Sequence, residues 1–481
     1  PQRMDRSGDL NGAGVGIAGN LTQMTAFEEK MERAGLNRLV IDTFSRYYRR
    51  LIGGSTGMIH DADIRPIRLD DIPRHGDLAD YAPIGIRCRS QVVRVVLNGG
   101  LGTSMGLLGP KSLLTVKGKS SFLEIILRQA DSSPSRLAFM NSFNTDEATR
   151  LAVSRLSPSR EPLFFLQHKF PKILQVELAP ADWPLNRELE WNPPGHGDVY
   201  AALSASGMLE RLLREGVRYA FICNSDNLGA SIDEPLLGYF AHHRLPFMME
   251  VAEKTPADVK GGHLARHVNG RLILREAAQC PKEEIAAFQD IARYRFFNTN
   301  NIWVNLEFLK ELIAKNTVVE LAMIVNPKTL DPRDENSPPV YQIETAMGSG
   351  ISLFEGAAAV NVPRARFLPV KTCNDLLAVR SDCFVHSALE GLKLNPLRAA
   401  SGRSESIKIK LDPKFYGKFD RLEERLPGGA PSLVGCDSLT VNGDVRFQER
   451  VTIRGSVTIS NTRTQPAVIP AGTVVDSDLT L

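Results

Sequence analysis

From residue 91 to about 382, short apolar runs of strand length alternate with stretches of helical periodicity. Residues 91–97 (QVVRVVL), 136–141 (RLAFMN), 162–167 (PLFFLQ), 218–224 (RYAFICN) and 246–252 (PFMMEVA) read as strands. Helical patterns at 121–129 and 199–215 fall between them. Runs this apolar must be covered on both faces, and the intervening helices supply the cover. The pattern therefore predicts an α/β domain on a mixed, mostly parallel sheet. In such sheets ligands sit beyond the carboxyl ends of the strands, so the loops leaving those ends carry the chemistry.

The flanks differ. Residues 24–52 read as two helices broken near Gly35, the second with Leu39, Val40, Phe44, Tyr47, Tyr48 and Leu51 on one stripe. Beyond residue 427 apolar residues recur every six positions. Leu433, Leu439, Val445, Val451 and Val457 form one register, and Val441, Phe447, Ile453 and Ile459 a second. Val468 and Val474 resume the period after a break at 461–466. A sixfold repeat of an apolar pair predicts a parallel β-helix, whose open ends need capping or pairing and so point to homo-oligomer contacts. The expected division is a flexible tail (1–23), an N-terminal helical region (24–85), a central domain (86–385) and a linker with the β-helix (386–481).

Composition narrows the partners. A chain of 481 residues exceeds one ordinary core, and 58 Lys plus Arg against 55 Asp plus Glu leave only +3. That near-balance argues against nucleic acid as the main partner. No apolar run approaches the roughly 18–20 residues that span a bilayer. The polar, Gly-rich start lacks a signal-peptide core. Six scattered cysteines without a C-x-x-C pair fit a reducing compartment, the cytoplasm.

Three loops carry the chemistry. LNGGLGTSMGLLGPKS (97–112) follows a buried strand, and its glycines let backbone N–H groups approach phosphates or bases. Pro110 before Lys111 breaks the Walker A pattern, and Met105 breaks G-x-G-x-x-G, so neither common nucleotide fingerprint applies. Lys111 is placed to meet phosphate oxygens as a point charge. In WNPPGHGDVYAAL (191–203), His196 stands between two glycines with little cover, presented to a ligand, and Asp198 is placed to cap the next helix. In CNSDNLGASID (223–233), Asp226 leaves a strand's carboxyl end, where one carboxylate suits Mg²⁺ completed by phosphates and water. Lys254, Lys260 and Lys371 add positive charge, and Asn298, Asn300 and Asn301 crowd what reads as a turn, with amides suited to sugar hydroxyls.

Together LNGGLGTSMG…GPKS, FMNSFNT (139–145), PPGHGD, NSDN, MEVAEKTPADVKGG, FNTNNIWVNL, IETAMGSGI (343–351) and NVPRARFLPVK (361–371) resemble the eukaryotic-type UTP–glucose-1-phosphate uridylyltransferases, in family order. The resemblance implies a Rossmann-like nucleotidyltransferase domain with a C-terminal left-handed parallel β-helix. It implies transfer of UMP from Mg²⁺-UTP to glucose 1-phosphate, giving UDP-glucose and pyrophosphate. Carried over by residue, Leu97, Asn98, Gly99 and Gly100 hold the uridine, Gln167 the uracil, Lys111 the UTP phosphates, and Gly195 lies against the nucleotide. His196, Asn224, Ser225 and Lys260 meet the sugar phosphate, Asn300 the glucose, Asp226 the metal, and Lys371 the charge on the α-phosphate. The chain departs from the family pattern at Leu107, where Cys is usual, and at Leu166 and His168, which flank Gln167 in place of Asn and Ser.

The chemistry agrees with that resemblance. A sugar phosphate oxygen is already an ionised nucleophile, so the work is to align two anions and neutralise growing charge. Lysines with Mg²⁺ do this by direct displacement, without a covalent intermediate. Two alternatives stand beside it: the same reaction on another sugar 1-phosphate (galactose or N-acetylglucosamine), and a nucleotide-binding homologue without catalysis.

Overall fold

The computed structural model describes residues 13–316, 318–387, 391–403 and 407–481. Its centre is a mixed sheet ordered Ile64–Pro66, His263–His267, Phe296–Asn305, Tyr219–Asn224, Val92–Asn98, Arg136–Asn141, Leu163–Leu166. The last four run parallel to one another. The ten-residue strand Phe296–Asn305 is antiparallel to its neighbours and also pairs with Phe247–Glu253, which in turn carries Ala358–Asn361 in parallel.

Every residue of Val92–Asn98 is buried, as expected of a strand covered on both faces. Val92 and Val96 enter one core with the helices Phe122–Asp131 and Glu234–His242. Val93, Val95 and Leu97 enter the other with Val199–Ala205 and Met208–Arg214. The single helix expected at 199–215 is two, broken at Gly207, whose φ of 72° is left-handed.

The N-terminal region departs from expectation twice. Its first helix, Ala13–Arg33, begins inside the stretch expected as a tail; residues 1–12 lie outside the described residues. The stretch expected to be helical also contributes the edge strand Ile64–Pro66 to the main sheet. Helix Arg38–Ile52 is capped by Asn37 and packs Phe44, Tyr47 and Tyr48 against Phe170, Ile173, Met323 and Ile343.

In the C-terminal region Lys408–Leu411, Cys436–Asn442, Gly455–Ser460 and Leu479–Thr480 pair in parallel in that order. Val445–Phe447 pairs with Ala467–Ile469, and Thr452–Ile453 with Val474–Val475, also in parallel. Both apolar registers up to Ile459 point inward. After the break the reading fails: Val468 and Val474 are 48% and 49% exposed, while Ala467, Ile469 and Val475 face inward. The segment 461–466 lengthens that turn, so Val445 is matched by Ala467, and a one-residue slip in a strand exchanges its faces. One apolar core runs from the sheet's Val92 face through Leu376, Cys383 and Leu411 to Leu433, Val441 and Val457 without interruption.

Candidate active site

Val92–Asn98 has Arg136–Asn141 on one side and Tyr219–Asn224 on the other, so its carboxyl end is a point where the chain order reverses. The glycine-rich loop leaves there. The carbonyls of Leu97, Asn98, Gly99 and Gly100 already accept from Ser225 N–H (3.1 Å), Thr145 Oγ1 (2.7 Å), Ser142 Oγ (3.0 Å) and Lys111 N–H (3.0 Å). The buried Asn98 amide donates to Asn141 Oδ1 and Thr149 Oγ1, tying two strand ends together. The amides of Gly99 and Gly100 have no partner among the described residues and form the loop's donor surface.

Gln167 bridges this loop to the next. Its Nε2 donates to the Gly195 carbonyl at 2.9 Å. A Cβ on Gly99 would lie 2.8 Å from its Oε1, so the loop and this side chain pack closely here and a larger residue would have to displace the Gln167 amide. Gly195 has φ 78°, and a Cβ there would lie 2.4 Å from the Thr345 carbonyl oxygen. Asp198 does not cap its helix through its side chain; its carboxylate accepts from the His168 backbone N–H (2.7 Å) and lies 3.0 Å from His168 Nδ1. His196 Nδ1 accepts from Met347 N–H at 3.0 Å. Burial, with the Lys371 charge nearby, pushes its imidazole down to about 4. The ring is therefore neutral at pH 7 with its proton on Nε2, a fixed donor.

Lys111 and Asp226 meet. Lys111 Nζ donates to Asp226 Oδ2 at 2.6 Å, both side chains being about 15% exposed. Asp226 Oδ1 is buried without a partner. A buried carboxylate oxygen left open is costly, and a divalent cation completed by phosphate oxygens and water fits it. No group of three or more acidic, His or Cys ligands occurs among the described residues. Asn224 lies in register with Leu97 at the strand end, and Ser225 follows, buried. The Asp226 carbonyl accepts from Val370 N–H, so the Asp226 loop docks on the segment leading to Lys371.

Beside this junction lies a cavity of about 520 Å³ lined by Lys260, Glu276, Asn298, Asn300, Arg364 and Lys371, among others. The asparagines sit in a bulged strand, not the turn expected from sequence. The pairing of Phe296–Asn305 slips opposite Glu250 and Val251, and Asn300 takes φ 58°. The bulge turns Asn300 into the cavity. Asn298 fixes it there, accepting from Asn300 N–H (2.9 Å) and donating to Asn300 Oδ1 (2.8 Å). Asn301 instead enters the core and donates to Glu250. Glu250 is fully buried and accepts from Arg366 Nε and Nη2 (both 2.7 Å), Trp303 Nε1 (2.9 Å) and Asn301. Asn227 accepts from Leu368 N–H and donates to the Arg366 carbonyl. These residues hold the Lys371 segment against the Asp226 loop. Nothing local in the sequence marks them, because their partners lie 51 to 141 residues away.

Behind the cavity Lys254 is buried over the Phe288 ring with its Nζ unpartnered, and burial lowers its ammonium to about 8. His263 stacks on Tyr294 at 3.8 Å with both ring nitrogens unpartnered. Burial, then Lys254 and the arginines nearby, push His263 down to about 2. Its folded pKa lies below the unfolded 6.5, so the stability its neutral form contributes is complete above pH 6.5 and is lost as pH falls below it. His263→Phe keeps the stacked ring and removes the proton site. Urea melts at pH 7 and pH 5 are expected to show a loss of unfolding free energy smaller by about 2 kcal/mol than in the parent. An equal loss in both proteins would mean that this imidazole is not the titrating group.

A family model described as UTP–glucose-1-phosphate uridylyltransferase matches residues 41–454. The chain belongs to this family. It is 38% identical over 449 residues to the UTP–glucose-1-phosphate uridylyltransferase of Saccharomyces cerevisiae, covering 91% of this chain and 87% of that one. It is 40% identical over 396 residues to the enzyme of that name from Hordeum vulgare, covering 80% and 81%. Among solved structures, a mutant UDP-glucose pyrophosphorylase from Leishmania major in complex with UDP-glucose superposes with a TM-score of 0.87 at 38% identity, covering 96% of this chain and 99% of that one. A UDP-glucose phosphorylase from Trypanosoma brucei gives 0.84 at 40% identity, covering 96% and 100%.

Within this uridylyltransferase family member the residues singled out from sequence fall into two joined groups. Leu97–Gly100, Gln167, Gly195, Lys111 and Asp226 gather at the carboxyl end of the central strand. Lys260, Asn300 and Lys371 line the adjoining cavity. Lys371 stands between them, its charge felt by both His196 and Glu276.

Proposed function

We propose that this protein transfers UMP from Mg²⁺-UTP to glucose 1-phosphate, releasing pyrophosphate and forming UDP-glucose. The observation that carries the reading is the Lys111–Asp226 contact, with its open carboxylate oxygen, beside a cavity bearing two lysines and a bulge-borne asparagine. The names of the relatives agree with it.

In this reading the uridine lies along the Gly99 and Gly100 amides, with Leu97 and Asn98 behind them, Gln167 meeting the uracil and Gly195 against the nucleotide. The sugar phosphate occupies the cavity, with Asn300 on glucose hydroxyls and His196, Asn224, Ser225 and Lys260 at the phosphate. An oxygen of that phosphate attacks the α-phosphorus in line. The new P–O bond forms as the bond to the β-phosphate oxygen breaks, and pyrophosphate leaves with the electron pair. No proton has to be removed, so a neutral His196 serves as a donor and not as a base. Lys371 neutralises charge on the α-phosphate and Lys111 charge on the leaving phosphates. Asp226 would hold Mg²⁺, which when bound would supply further neutralisation of phosphate charge.

The domain division of 24–85, 86–385 and 386–481 belongs to the same reading, with the last part a left-handed parallel β-helix. Parallel pairing of its short strands supports the helix, and the exposed Val468 and Val474 support self-association through it. A cytoplasmic site is supported by six free thiols. Among the described residues, no helix is long and apolar enough to cross a membrane.

Pyrophosphate release with Mg²⁺, crossing UTP, TTP, ATP and GTP against glucose, galactose and N-acetylglucosamine 1-phosphates, tests the proposal. Strong preference for UTP with glucose 1-phosphate is expected. Preference for another sugar would redraw the cavity's role, and no turnover by folded, UTP-binding protein would overturn the catalytic reading.

A further inference from the structure

The central strand carries a guanidinium at its midpoint. Arg94 stands among valines in V-V-R-V-V-L, is 5% exposed, and by alternation shares the face of Val92 and Val96. There it lines a second cavity, of about 430 Å³, walled in part by Gly229 and Ser231. This wall continues the loop that begins at Asp226.

The guanidinium's partners are both neutral. Its Nη1 donates to Gln129 Oε1 at 2.7 Å and its Nη2 to the Ala230 carbonyl at 2.8 Å, while Nε–H has no partner. The other arginines lining this cavity each hold a carboxylate: Arg89 has Glu234, Arg136 has Glu215 and Arg366 has Glu250. Arg94 has none among the described residues. Two more buried donors here lack acceptors, Gln129 Nε2 and Arg136 Nε. Burying a charge without a counter-charge is strongly unfavourable, and so is each orphaned donor. A bound anion removes both costs at once.

We propose that this cavity is a second ligand site, which takes a small phosphate-bearing anion between Arg94, Gln129 and Arg136. The donors come from two strands and a helix, so they approach from several directions. A phosphate, with three or four acceptor oxygens, answers that arrangement; a carboxylate, with two coplanar oxygens, does not. The site is separate from the first one: the two cavities have no lining residue in common.

Calorimetric titration of the full-length protein with inorganic phosphate, at constant ionic strength against chloride, tests this. One saturable site per chain is expected, with the same affinity in saturating UDP-glucose. Arg94→Gln and Arg136→Gln are each expected to weaken binding about tenfold or more, the worth of a lost charge-assisted bond. Absence of saturable binding overturns the proposal, as does displacement of phosphate by UDP-glucose. Undiminished binding in Arg136→Gln overturns it too, whether or not Arg94→Gln folds. Tighter binding of succinate than of phosphate overturns the ligand class.

Discussion

Asp226→Asn lowers turnover by about 10²–10³-fold, the loss expected when a preorganised charge at a reacting phosphate is removed. The reason lies in the two oxygens of this side chain. Oδ2 holds Lys111 at 2.6 Å, and Oδ1 is buried and open. Asparagine keeps the volume but replaces one oxygen with a donor, so either Lys111 faces an amide N–H or the open position loses its negative oxygen. Both outcomes weaken the hold on a divalent cation. The Mg²⁺ concentration for half-maximal turnover is therefore expected to rise along with the fall in kcat. The check is steady-state kinetics across a Mg²⁺ series, with thermal melting to confirm folding. Near-normal kcat at ordinary Mg²⁺ would remove Asp226 from the site.

Lys371→Met is expected to cost a similar factor with a different signature. Lys371 is exposed at the junction of the glycine-rich loop and the adjoining cavity, and its charge acts on His196 and Glu276. A charge that serves mainly the transition state lowers kcat and kcat/KM together and leaves KM little changed. The expected result is a 10²–10³-fold fall in kcat with KM for UTP within a few-fold of the parent. A rise in KM with kcat preserved would make Lys371 a ground-state binding residue instead. In the same variant the imidazole of His196 loses a neighbouring positive charge, so its titration, followed by NMR, is expected to move upward from about 4.

What was legible in the sequence was whatever is local. Buried strands declare themselves as apolar runs, and loops that leave their carboxyl ends can be ranked by glycine, charge and spacing. Lys111, Asp226 and Lys371 are singled out in this way, and the structure puts Lys111 against Asp226 and Lys371 at the adjoining cavity. The asparagine cluster shows where local reading stops: three amides in four residues suggested a turn, while the structure sends Asn300 into a cavity and Asn301 into the core. The difference is a bulge, visible only once Phe247–Glu253 is laid beside its partner strand. Asp198 is similar, since a helix-capping position was evident but the competing His168 was not. The C-terminal slip at Val468 has the same origin, a turn of altered length that inverts the strand after it.

The uninterrupted core between the sheet's Val92 face and the C-terminal coil bears on how the molecule comes apart. Regions that share one apolar interior have no seam along which to open separately. Lys418, in that C-terminal region, also reaches the glycine-rich loop and donates to the Ser104 carbonyl. Calorimetry should therefore find the central sheet and the C-terminal strands melting in a single cooperative transition, and loss of those strands should cost both their share of the common core and the Lys418 tie on the glycine-rich loop.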